Sequence, residues 1–174
     1  MSKKHIKDYV ADASAEGGYR YVGAYFADSV TTEERKKTGC LHIIAGVLEI
    51  VLVFLAASIN CAGNRTIYVV IPMECTLFCA LLYVLGAYRY LKNGNRMERK
   101  DYEGSYLRMV QSVTIAFFLD IASAIGQIVL ICKGVHYAGM QYEYLLLACI
   151  VLMGTMNCIG WVLQRRMFAK VIQQ

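Results

Sequence analysis

The chain is short of the residues that soluble domains use to break and solvate their elements. It has one proline (Pro72), one tryptophan (Trp161) and only 18% charged residues, against about 25% in an ordinary soluble domain. Lys and Arg are missing altogether from four long blocks, 41–59, 66–88, 109–132 and 145–163. So sparse and clustered a charge argues against a water-soluble fold.

Other absences remove whole classes of chemistry. None of the seven cysteines forms a CxxC pair, so neither a redox centre nor a zinc ribbon is indicated. Most of them fall inside the apolar blocks, where a thiol acts as a small hydrophobe. Cys61 and Cys132 end their blocks on the same side and could pair in an oxidising compartment. There is no HExxH, no nucleophile elbow and no glycine-rich phosphate loop. The chain is therefore expected not to be an enzyme and to need no cofactor or metal. The formal charge of +5 borders apolar blocks rather than a groove of stacking aromatics, which excludes a nucleic-acid role.

What is present is length without charge. The block 41–59 reads LHIIAGVLEIVLVFLAASI, nineteen residues with the single carboxylate of Glu49 at its middle. At 1.5 Å per residue it makes ~28 Å of helix, close to the ~30 Å hydrocarbon core of a bilayer. Three similar blocks follow. The expected fold is an all-α integral membrane protein, a four-transmembrane-helix bundle (domain 40–165) preceded by a polar segment 1–39 and followed by a tail 166–174. The first apolar run lies behind a long polar leader and is as long as a span, so it is expected to remain in the mature protein.

Of the eighteen basic residues, all but Arg65 and Lys133 fall in 1–39, 89–108 and 165–174. This bias places both termini in the cytosol, against an anionic inner leaflet, most naturally that of the plasma membrane. Shifting the first block by 71 residues onto the third aligns Ile44 with Ile115, Leu48 with Leu119, Cys61 with Cys132 and Glu49 with Asp120. That offset admits a parallel two-hairpin repeat.

Local signals refine this frame. Thr31-Thr32-Glu33-Glu34 is a capping box that starts the first helix a turn or two before the lipid, leaving Arg35, Lys36 and Lys37 at the headgroups. Tyr19, Val22, Phe26 and Val30 recur at helical spacing and predict an amphipathic interfacial helix beyond the break at Gly17-Gly18. Pro72 predicts a kink near Tyr68 and Val69. Asn64-Arg65-Thr66 has the form of a glycosylation acceptor, but it lies in so tight a turn that it reads as a chance match.

Three acids, Glu49, Glu74 and Asp120, fall at similar depth near the bilayer middle. An aspartate at a helix centre costs roughly 2.5–3.5 kcal/mol on insertion scales, and no span holds a Lys or Arg to neutralise it. The acids should face the bundle, where they hold protons or bind a cation. Polar or small residues share their faces: His42, Gly46 and Asn60 on the first helix, Ser112, Ser123 and Gln127 on the third, Gly154, Asn157 and Gln164 on the fourth.

Two functions fit. In the first, the chain is a small transporter or permeation subunit that uses Glu49, Glu74 and Asp120, with Asn157 and Gln127, as a proton or cation site. Four helices enclose little room, so this reading implies a homo-oligomer. In the second, it is a non-catalytic accessory or assembly subunit of a larger membrane complex, and the polar seam is helix-to-helix glue. The topology is testable directly: a cysteine introduced in 133–141 should react with an impermeant reagent on intact cells, and one in 92–108 should not. The reverse pattern would overturn the orientation.

Overall fold

A computed structural model provides the structure, and describes residues 8–11, 19–28, 30–94, 96–168 and 171–173. Four helices are long and apolar enough to cross a membrane. They are α1 (Thr32–Ser58), α2 (Ile67–Lys92), α3 (Arg99–Cys132, with a wide π turn at Glu103–Leu107) and α4, which begins at Met140 and runs to Phe168. Successive helices are antiparallel neighbours, α2 and α3 share the most extensive interface, and α1 also packs on α4 to close the ring.

Each helix starts and packs for a local reason. Thr31 is extended (φ −66°, ψ 156°) and its hydroxyl accepts from the Glu34 amide at 3.2 Å, with Glu33 and Glu34 in the first turn of α1. That is the capping arrangement the sequence predicts. The buried positions of α1 are Arg35, Gly39, His42, Gly46, Glu49, Val53 and Ala56, every third or fourth residue. The opposite face carries Ile44, Leu48, Val51, Phe54 and Leu55, all exposed, as a lipid-facing surface should be.

Pro72 lies in the second turn of α2. It has no N–H to offer the Tyr68 carbonyl one turn back. Helix α3 closes on this spot. A Cβ on Gly126 would sit 2.9 Å from the Tyr68 ring, 3.1 Å from a Val69 methyl and 3.3 Å from the Tyr68 carbonyl oxygen, so a larger residue would push the two helices apart or shift the Tyr68 ring. Ser123 donates to the Val69 carbonyl at 3.0 Å. The weak point in α2 is thus where α3 is held.

The apolar core comes in two parts. Val53, Ala56, Cys61, Val69, Met73, Leu130, Leu146, Ile150 and Met153 form one cluster, near the short connections between α1 and α2 and between α3 and α4. Tyr83, Ala87, Tyr90, Tyr106, Met109 and Val113 form the other, towards the opposite end. A polar layer separates them.

The amphipathic helix expected over 19–30 is replaced by strands. β1 (Tyr9–Ala11) pairs antiparallel with β2 (Tyr19–Tyr21). β3 (Tyr25–Asp28) is the middle of a three-stranded sheet, flanked antiparallel by β4 (Arg96–Glu98) and β5 (Val171–Gln173). Tyr19 and Val22 are exposed, and Phe26 instead stacks on Tyr102, with ring centroids 4.1 Å apart. Aromatic residues favour strands once a pairing edge exists; β2 finds it in the neighbouring β1, and β3 in distant parts of the chain. The break expected at Gly17-Gly18 lies outside the described residues. Of the expected 166–174 tail, α4 continues to Phe168 and Val171–Gln173 forms β5.

This sheet brings the N-terminal segment, the α2–α3 connection and the C-terminal segment to one end of the bundle. We call it the sheet end, and the other the turn end. Tyr9 hydrogen-bonds the Glu98 carboxylate, and the Arg96 guanidinium lies 3.9 Å from the centre of the Tyr25 ring. The bond to Glu98, helped by burial, holds the Tyr9 phenol well above its usual pKa.

Arg35, expected among the headgroups, is instead buried at the sheet end. Its Nε and Nη2 donate to the Tyr90 carbonyl at 3.2 and 2.8 Å, and its guanidinium stacks over the Tyr90 ring at 4.3 Å. It therefore joins the first turn of α1 to the last turns of α2. Arg35→Ala should destabilise the detergent-solubilised protein by about 2 kcal/mol, because a charged hydrogen bond to a buried carbonyl is lost. The exposed neighbour Lys36→Ala should stay within roughly 0.5 kcal/mol of the parent. Equal thermal midpoints for the two variants would rule out this anchoring role.

Candidate functional site

The polar layer between the two core clusters takes one side chain from each helix. Asn157 of α4 donates its amide to Glu49 Oε1 of α1 at 2.6 Å and to Asp120 Oδ2 of α3 at 2.9 Å. Thr76 of α2 places its hydroxyl 3.1 Å from Asp120 Oδ1. All four residues are at most 3% exposed. Two carboxyl groups are thus joined by a single amide, and among the described residues neither has a cationic partner.

Thr76 gives this layer a second protonation arrangement. Its hydroxyl also lies 3.2 Å from the Pro72 carbonyl, and a hydroxyl has one proton to donate but can also accept. With Asp120 ionised, Thr76 donates to Oδ1. With a proton on Oδ1, Asp120 can donate to Thr76 while Thr76 donates to Pro72. The same atoms therefore satisfy either state without a change of fold.

Polar groups continue towards both ends. On the sheet side, His42 Nδ1 and the Tyr83 hydroxyl are 2.6 Å apart, and Tyr106 donates to the Gln164 carbonyl at 2.7 Å. His42, Gln164 and Ser112 are buried there. On the turn side, Gln127 does not reach the central acids. It donates to Glu143 Oε2 at 2.9 Å and to the Glu143 carbonyl at 3.1 Å. Glu143 in turn accepts the amides of Ala62 at 2.6 Å and Gly63 at 3.2 Å. Gly63 must be glycine, since a Cβ would overlap Gln127 and Leu146.

Of the five residues singled out from sequence, Glu49, Asp120 and Asn157 meet in the central layer, and Gln127 belongs to the turn-end seal. Glu74 is turned away. It lies on the exposed face of α2 with no hydrogen bond or ion pair among the described residues. Three acids at one depth therefore do not make one site.

Sequence reasoning missed Thr76, Tyr83 and Glu143. Glu143 was legible in principle: it falls on the stripe Glu143, Leu146, Ile150, Met153, Asn157 and Gln164, all buried. The expected span began at residue 145 and cut it off. The Asn64 side chain is also engaged, its Nδ2 donating to the carbonyls of Ala56 and Ile59, both at 2.7 Å. It ends α1 rather than facing solvent. Cys61 is buried, Cys132 is exposed, and both are free thiols.

Glu143→Ala would leave the Ala62 and Gly63 amides and the Gln127 side chain without their acceptor in a buried place. The expected loss is about 3 kcal/mol, from hydrogen bonds to a charged group. Thermal unfolding in micelles reads it, and a midpoint within about a degree of the parent would contradict it. No protein-family model, curated protein or solved structure matches this chain.

Proposed function

We propose that the chain is a proton-handling membrane transporter or permeation subunit, with Glu49 and Asp120 as the proton site and Asn157 and Thr76 as its positioning residues. One observation carries this reading: two carboxyls share one amide between the two halves of an apolar core, and among the described residues no cation balances them. Charge there is costly enough that at least one proton must be held. The Thr76 hydroxyl supplies a place for that proton to come and go. The basic sheet end faces the cytosol in this reading, and the parallel repeat would make Glu49 and Asp120 equivalent members of two hairpins.

A second reading, an accessory subunit, draws on a different feature. Each helix contributes one side chain to the layer and Ser123 adds a fourth cross-link to its three hydrogen bonds, which is also how a bundle fixes its register for assembly.

Proton flux into liposomes that carry an internal pH dye separates the two. Glu49→Gln and Asp120→Asn keep shape and hydrogen bonding but cannot titrate. Each should fold with a near-parental thermal midpoint and lower the flux by about a hundredfold or more, the range typical of a positioned proton-transfer group. Parental flux in both variants would remove the proton reading. No flux in the parent would leave the accessory reading.

A further inference from the structure

The lipid-facing surface of α2 contains a residue that does not belong in lipid. The exposed stripe of this helix runs through Ile67, Ile71, Phe78, Leu81 and Leu85, with Ile67 73% and Phe78 66% exposed. Glu74 is exposed at the centre of that stripe, seven residues from the start of the helix. At 1.5 Å per residue this is ~10 Å inside the span. Lysine and arginine reach the headgroups from such depths by snorkelling, and the shorter glutamate cannot. Helix phase excludes a turn inwards as well. Thr76, two residues on and about 200° around the helix, is the residue that contacts Asp120.

An acid held there needs a partner from outside the ring. A second copy of the chain cannot supply a cation, because no span contains Lys or Arg. It can supply the same carboxyl. A protonated carboxyl is both donor and acceptor, so two of them are complementary to each other without any charge. A two-fold axis along the membrane normal puts both copies of Glu74 at one depth whatever the tilt of the helices, which an unrelated partner must achieve by separate matching. The stripe from Ile67 to Leu85 is ~27 Å long, so the contact would extend over a whole span.

We propose that α2 is the self-association face of this protein, with two copies packed α2 to α2 about a two-fold axis and their Glu74 carboxyls hydrogen-bonded to each other. The association does not rest on the proton-handling reading, since it is measured without flux and uses none of the central layer.

The full-length protein in liposomes at high lipid dilution tests it, by photobleaching steps on singly labelled molecules and by cross-linking. The parent should be dimeric. With the native cysteines changed to serine, Ile71→Cys should cross-link to its copy, and Val51→Cys, on the exposed face of α1, should not. Glu74→Gln keeps a donor and an acceptor and should stay dimeric. Glu74→Leu should weaken association by about tenfold, the scale of an interhelical hydrogen bond in model membranes. Glu74→Lys should lose self-association and pair with the parent in a mixture. A monomeric parent, cross-linking through Val51→Cys instead of Ile71→Cys, or a Glu74→Leu dimer as tight as the parent would each overturn the proposal. If Glu74→Leu does not fold, the Ile71→Cys and Val51→Cys pair decides it with Glu74 in place.

Discussion

The bond from the Asn157 amide to the carboxyls of Glu49 and Asp120 is the constraint around which the bundle is arranged. In a hydrocarbon setting a carboxyl cannot fall back on water, and an unsatisfied one costs several kcal/mol. Its partners must therefore be in place when the helices meet. One amide with two N–H groups, facing two acids on different helices, fixes the rotation of α1, α3 and α4 together. Thr76 adds α2. Apolar packing alone would leave these rotations loosely set, because Leu and Ile surfaces pack nearly as well on one face as on another.

The two ends of the bundle are closed by different means. At the turn end a single buried carboxylate, Glu143, gathers two loop amides and Gln127, so that the α1–α2 connection is tied to both α3 and α4. The Arg65 guanidinium, 3.5 Å above the Tyr137 ring, joins the two short connections on the surface. At the sheet end the closure is broader: the Arg35 contact to Tyr90, the rings of Phe26, Tyr102 and Tyr106 in a stack, and strands from three separated segments. The central layer therefore sits between two fixed ends.

Glu74 shows how differently two acids of similar depth can be used. Asp120 is 2% exposed and bonded to two other helices. Glu74 faces outward on a smooth apolar stripe. The first is satisfied within the chain. The second is a demand placed on whatever lies next to it in the membrane.

By itself the sequence determined the four spans, the start of α1 at Thr31, the weak point that Pro72 makes in α2 and the polar positions on α1, α3 and α4. Each follows from local physics: hydrocarbon thickness sets span length, a threonine oxygen caps a free amide, proline removes a donor, and a 3.6-residue period places side chains on faces. Only the tertiary structure decided which face of α2 points inward. In lipid both the inner and the outer face of a helix are apolar, so hydropathy does not distinguish Thr76 from Glu74, and depth alone grouped Glu74 with the wrong neighbours. The strands at 19–28 escaped a local reading for a related reason. Phe26 fits a helical period with Tyr19 and Val22, but the edges that make β3 a central strand come from Arg96–Glu98 and Val171–Gln173, and no window of sequence contains both partners.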